Sequence, residues 1–192
     1  MAERRSALAH LSADAGGVAR PRISEAQPGA ILMLQAWPDT LATVEAVVTQ
    51  TLKADLPALG HGVPFDGGTI LAIGAGRFLL AVGDAGAGKS FREAFSTSDA
   101  AVTDISHGRT VLRLEGDAAE ELLQHAAPVD FGMKPFPPGR VAQTAIHHVD
   151  VVVHRTSEAS FEVWALRSFA ESLLEWLIDA GADLGAGSMR EK

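Results

Sequence analysis

Two apolar runs, TILAIG at 69–74 and RFLLAV at 77–82, are separated only by Ala75-Gly76. A connection that short turns the chain straight back on itself, so the two runs pair as an antiparallel hairpin. The second half repeats the arrangement: RVAQTAIHH, VDVVVHRT and ASFEVWAL are strand-like runs between tight breaks. Each hairpin region is followed by a similar short segment, KSFREAF in the first half and RSFAESL in the second. The expected fold is therefore α+β, mainly antiparallel sheet with packed helices, in two related lobes.

The remaining elements fit this order. AILMLQAW reads as a buried strand, and PDTLATVEAVVTQTLKADLP places Leu41, Val44, Val48 and Leu52 at helical spacing. GRTVLRLEG is a strand, and DAAEELLQHA is a helix with Asp117 and Glu120 at capping-box spacing. The segment APVDFGMKPFPPG holds four prolines and must be irregular. RSFAESLLEWLIDAG is a helix, with Phe169, Leu173, Trp176 and Leu177 on one face and Gly181 as its stop. Residues 1–28 mix charge, small residues and prolines, which suggests an arm that orders on a partner or a disordered tail. The expected organisation is that arm, one domain over 29–184 with lobes at about 29–98 and 99–184, and a tail over 185–192.

Composition narrows the chemistry. With 192 residues, 47% hydrophobic content and a net charge of −8, a well-filled core is expected and an anionic partner such as nucleic acid is not. Cysteine and tyrosine are absent, which removes thiolate metal sites, cysteine nucleophiles and tyrosine acids. No apolar run reaches membrane-spanning length and the start lacks a secretory core, so a cytoplasmic setting is expected.

The stretch AVGDAGAGKS contains Gly83, four residues, then Gly88-Lys89-Ser90, the pattern of a phosphate-cradling loop. A second explanation needs no ligand. Ser90 and Glu93, like Ser168 and Glu171, have S-x-x-E spacing, so each serine is expected to cap a helix that begins beside it. A phosphate loop also belongs to a parallel strand–helix unit, whereas this sequence predicts hairpins. The capping reading is preferred, with a small nucleoside triphosphatase acting through Lys89 as the alternative.

Other chemistry finds little support. His147 and His148 are expected on opposite faces of a strand, and His154 lies too far along it to share a metal ion with either. Ser106 and His107 are sequence neighbours and cannot form a nucleophile–base pair on extended chain. No catalytic, cofactor-binding or metal-binding residue is expected in this chain. Arg109, Arg140, Arg155 and Arg167 sit at element ends, where arginines anchor carboxylates or backbone carbonyls across interfaces. Together with Pro137 and Pro138 they are the candidate partner-contact residues.

Taken jointly, DISHGRTVLRLEG, FPPGRVAQT, VVVHRT…SFEVW and RSFAESLLEWL resemble the gamma subunits of heterotetrameric sarcosine oxidases. The likeness is strongest over about residues 100–181, with RRSALAHL and GRFLLAVG adding to it more loosely. It implies a fold like the folate-binding aminomethyltransferase domain. It also implies a structural role beside alpha, beta and delta subunits in oxidative demethylation of sarcosine to glycine. In that assembly FAD, FMN, NAD, tetrahydrofolate and zinc would belong to the partner subunits. A stand-alone folate-dependent aminomethyl transferase is the other reading this likeness permits. Asp150 would then stand where that family has its aspartate, although the glycine-rich context is missing.

Overall fold

The computed structural model describes residues 6–8 and 21–187. Among the described residues two compact units emerge, one from residues 27–107 and the other from residues 6–8 and 21–26 with 108–187.

In chain order the first elements are β1 (Arg22–Ala26), β2 (Ala30–Ala36), α1 (Leu41–Leu52), β3 (Gly62–Phe65), β4 (Gly68–Gly74), β5 (Arg77–Val82), α2 (Ala85–Glu93) and β6 (Ala100–Asp104). After a 3-10 turn at Ser106–Gly108 come β7 (Arg109–Glu115), α3 (Ala118–Ala126), β8 (Val141–Ile146), β9 (Val149–Ser157) and β10 (Ser160–Leu166). A second 3-10 turn, Arg167–Phe169, leads into α4 (Ala170–Gly187).

In the 27–107 unit five strands form one antiparallel sheet ordered β3-β4-β5-β2-β6. Register explains its core. Ile70, Leu80 and Leu32 share a rung, as do Ala72, Phe78 and Leu34. Strand alternation sends both sets to one face, where they cluster with Val44 and Val48 of α1 and Phe91 of α2.

The other unit has a second antiparallel sheet, ordered β1-β7-β10-β9-β8. Ile23, Leu114 and Phe161 align across three strands, and Val163 pairs with Val153. These residues cluster with Leu122 and Leu123 of α3 and Leu173, Leu174 and Leu177 of α4. The α+β class and the antiparallel sheets are as the hairpin pattern predicts.

Several local expectations need correction. Residues 22–26, expected in the arm, form β1 and pair with β7. Ser6 and Ala7 also bind their own chain: the Ser6 hydroxyl and Ala7 N–H both donate to Glu25, and Leu8 is buried in the core. Residues 1–5 and 9–20 of that expected arm, and 188–192 of the expected tail, lie outside the described residues. Gly181 does not end α4, which continues to Gly187; Gly181 is buried at close quarters to Leu122 and Pro21, so packing outweighs its weak helix propensity. His147 and His148 occupy the turn between β8 and β9 instead of a strand. His147 takes φ 54° there, with its ring stacked on Trp176 at 5.8 Å.

Candidate functional site

Arg155 is the most heavily bonded side chain among the described residues. It follows Val151 and Val153 at strand alternation, so β9 aims it at the helix-covered face. A register shift between Ser160 and Phe161 sets it opposite Phe161, with the guanidinium 4.8 Å from that ring's centroid. All five N–H donors are engaged. Nε donates to Ser157 O at 3.2 Å, and Nη1 donates to Phe131 O at 2.7 Å and Phe136 O at 3.2 Å. Nη2 donates to the Glu120 carboxylate at 2.9 Å and to Glu158 O.

Arg155 is 1% exposed, so the expectation that it meets a partner is overturned. It does anchor a carboxylate and backbone carbonyls, but all of them are its own chain's. The consequence falls on the proline-rich connection between α3 and β8. Phe131 and Phe136 pack edge-to-face at 5.0 Å, and Phe131 meets Phe161 at 6.1 Å in the same way. Gly139 and Arg140 extend the pairing through backbone bonds with Arg155. Held at both ends, the loop turns Met133, Pro137 and Pro138 outward. A cavity of about 400 Å³ beside it is lined by Asp117, Glu121, Gln124, Met133 and Glu158, with Arg155 and Glu120 at its base. Asp117 makes no side-chain cap for α3, and Glu120 turns to Arg155 instead of closing a capping box.

On the opposite face of the same sheet, one rung carries Arg113, Glu162 and His154 across β7, β10 and β9. Arg113 Nη2 donates to Glu162 at 3.2 Å, and His154 Nδ1 lies 3.8 Å from the other carboxylate oxygen. Burial raises the Glu162 pKa, but His154 and Arg113 outweigh it and hold the carboxyl below its ordinary range. Glu162 and His154 are buried in this row while Arg113 is exposed, so the row ties three strands together from the surface inward. His154 Nδ1 is buried and makes no hydrogen bond at that distance, and among the described residues no group of three or more potential metal ligands comes together.

The turn that spells a phosphate loop resolves differently from both of its sequence readings. α2 begins at Ala85, so the residues leading into Gly88 are helical instead of forming a cradle. The N-cap is Asp84, whose carboxylate accepts from Ala87 N at 3.0 Å. Ser90 and Glu93 therefore lie in the last turns of α2, and the predicted capping box does not exist. A carboxylate already occupies the end where phosphate would sit. β5 is also antiparallel to both its neighbours, unlike the strand of a phosphate loop. Lys89 reaches Glu93 at 3.8 Å on the exposed face. Gly88 has its own reason: a Cβ there would stand 2.9 Å from Ala30 Cβ, so only glycine lets α2 approach β2 this closely.

The second expected box is displaced as well. Leu166 holds the N-cap position of the Arg167–Phe169 turn without a side-chain cap bond, leaving Ser168 inside that turn and Glu171 in the first turn of α4. Both errors have one cause: backbone helicity began earlier than the serine signal suggested.

The other candidates are dispersed. Arg109 is half-buried at the start of β7, and burial lowers its guanidinium pKa. Arg140 is half-buried at the entry to β8. Arg167 donates to Ser6 O at 3.3 Å, helping to hold that segment. Ser106 is buried: its hydroxyl accepts from Ile31 N at 2.8 Å and donates to Asp104 at 2.5 Å. Burial raises the Asp104 pKa, yet bonds from Ser106 bring it below normal. Ser106 is thus structural, and His107 is exposed. Asp150 is exposed near the β8–β9 turn and does not line the cavity beside Arg155. Arg155, the residue most misjudged, carried a usable signal in its alternation with Val151 and Val153.

Known proteins give the geometry a context. The family described as GCVT N-terminal domain matches residues 41–189. The gamma subunit of sarcosine oxidase from Corynebacterium sp. (strain U-96) is 32% identical over 194 residues, covering 97% of this chain and 94% of that protein. The gamma subunit from Arthrobacter sp. is 31% identical over 163 residues, covering 79% of this chain and 80% of that protein. Among solved structures, a chain of heterotetrameric sarcosine oxidase from Corynebacterium sp. U-96, in complex with pyrrole 2-carboxylate, superposes with a TM-score of 0.84 at 30% identity, covering 94% of this chain and 96% of that one. Glycine cleavage system aminomethyltransferase T from Bartonella henselae shares the fold, with a TM-score of 0.66 at 16% identity over 83% of this chain and 46% of its own. On the near end-to-end match to these relatives, the chain belongs to the sarcosine oxidase gamma-subunit family and is built on the GCVT N-terminal domain.

Proposed function

We propose that this chain is the gamma subunit of a heterotetrameric sarcosine oxidase acting in the cytoplasm beside alpha, beta and delta subunits. The complex would demethylate sarcosine to glycine, reduce oxygen to hydrogen peroxide and pass the one-carbon unit to tetrahydrofolate. The observation that carries this reading is full-length likeness to gamma subunits, at 32% identity over 97% of the chain. In this assignment FAD, FMN, NAD, tetrahydrofolate and zinc are held by partner subunits, and the present chain is an accessory, interface-forming subunit. Its geometry supports that division of labour. Arg155 is committed to shaping a loop, Ser106 to closing a turn, and the glycine before Lys89 to packing a helix.

Co-expression with the three partner subunits, one of them tagged, tests the assignment. Capture should bring this chain down in equimolar amount with sarcosine oxidase activity. A chain that stays monomeric while the other subunits are captured would refute it. The folate-dependent alternative predicts tetrahydrofolate binding by the isolated chain, lost in Asp150→Ala.

A further inference from the structure

We propose that the loop anchored by Arg155, with the carboxylates beside it, is a docking face for a partner-subunit segment bearing an arginine or lysine flanked by apolar side chains. The inference rests on the reading of the chain as a subunit and adds where, and through what chemistry, it meets a partner.

The first support is the investment made in the loop. Burying a guanidinium is unfavourable unless every donor is matched, and in Arg155 all five are. Three of the five partners lie on or next to this connection: Phe131 O and Phe136 O within it, and Glu120 on the helix before it. A plain connection between α3 and β8 would not need such an anchor. Its product is one fixed shape, whose outward surface is Met133, Lys134, Pro135, Pro137 and Pro138, with Met133 43% exposed. A pre-ordered and mostly apolar surface loses little entropy on binding, and methionine adapts to irregular contacts.

The second support is charge. Beside Met133 the cavity wall carries Asp117, Glu121 and Glu158, all exposed. Their carboxylates have no hydrogen-bond or ion-pair partner among the described residues. Arg155 leaves them uncompensated because its donors are already engaged. The cavity, about 400 Å³, admits a long side chain whose stem lies along Met133 and whose cationic head reaches these carboxylates. A basic residue with apolar neighbours matches both halves of the surface.

The test is competition for assembly. Wild-type chain and the variant Glu121→Lys/Glu158→Lys are co-expressed with tagged partner subunits, and the captured ratio is read by mass spectrometry. The variant should be depleted about ten-fold or more at low salt, and the depletion should shrink at about 1 M salt, where the screening length is ~3 Å. Glu45→Lys/Asp55→Lys makes the same change in net charge elsewhere on the surface and should compete normally. Met133→Asp should be depleted at both salt concentrations. If the lysine variant melts below wild type, Glu121→Gln/Glu158→Gln takes its place, with a smaller depletion of the same salt dependence. A photo-crosslinking residue at position 133 should mark a partner peptide containing arginine or lysine. Equal capture of the Glu121/Glu158 variant, or equal depletion of the control pair, overturns the docking face while leaving the subunit reading intact. Failure to capture wild-type chain overturns both.

Discussion

Replacing Arg155 with methionine removes five donors while keeping an unbranched stem against Phe161. The structure allows the loss to be apportioned. Removing one partner of a buried ion pair costs about 3–5 kcal/mol, but the Glu120 side chain is 32% exposed and can turn to water. The carbonyls of Ser157 and Glu158 belong to exposed residues and can rehydrate. Those of Phe131 and Phe136 belong to buried residues, and a buried acceptor left without a donor costs ~1–3 kcal/mol. Part of that is recovered if the loop loosens and admits water. The net expectation is a loss of about 4 kcal/mol, a large share of the ~5–15 kcal/mol typical of whole-protein stability. For a chain of this size that lowers Tm by about 8–16 °C. Urea unfolding followed by circular dichroism gives the global figure, and hydrogen exchange at the Gly132 and Phe136 amides reports the loop. Arg155→Lys, with three donors, should fall between methionine and wild type. A methionine variant within about 1 kcal/mol of wild type, or one whose loop amides exchange no faster, would refute the anchor.

The cap of α2 gives a second test: Asp84→Ala should cost about 1 kcal/mol, whereas Ser90→Ala should change stability by less than ~0.5 kcal/mol. A larger loss from the serine variant in thermal melts would restore the capping box at Ser90. A third concerns acid stability. Because the folded Glu162 pKa lies below its ordinary 4.5, its contribution is fully present above that pH and is lost as pH falls through the depressed folded value. Glu162→Gln should therefore cost about 1–3 kcal/mol near neutrality, and the gap from wild type should narrow below pH 4.5. Unfolding curves across pH with a constant gap would contradict this.

How far the fold could be read depended on how local its signals were. TILAIG-AG-RFLLAV carried two apolar faces and a turn in one stretch, so the β4–β5 hairpin was legible from adjacent residues alone. β1, β3 and β6 were missed because their identity comes from pairing. RISEA in β1 has one deeply buried residue, Ile23, and becomes a strand because β7 offers it an open edge. β3 contains Pro64, which is tolerated because β3 stands at the edge of its sheet. The capping error at α2 arose where two polar residues competed: Asp84 and Ser90 are both good caps, and the helix starts at the earlier one, where Asp84 accepts from Ala87 N.

The arginines extend the same contrast to function. As letters at element ends, Arg109, Arg140, Arg155 and Arg167 were equivalent. Alternation separates one of them, because a charge in phase with Val151 and Val153 must point inward, where it persists only if fully bonded. A buried, fully bonded charge is poorly suited to touching a partner, yet well suited to deciding which neighbouring residues do. The proposed docking face is therefore two-layered, with Arg155 inside and Met133, Glu121 and Glu158 outside. Mutating either layer should weaken capture, but only the inner one should also lower Tm.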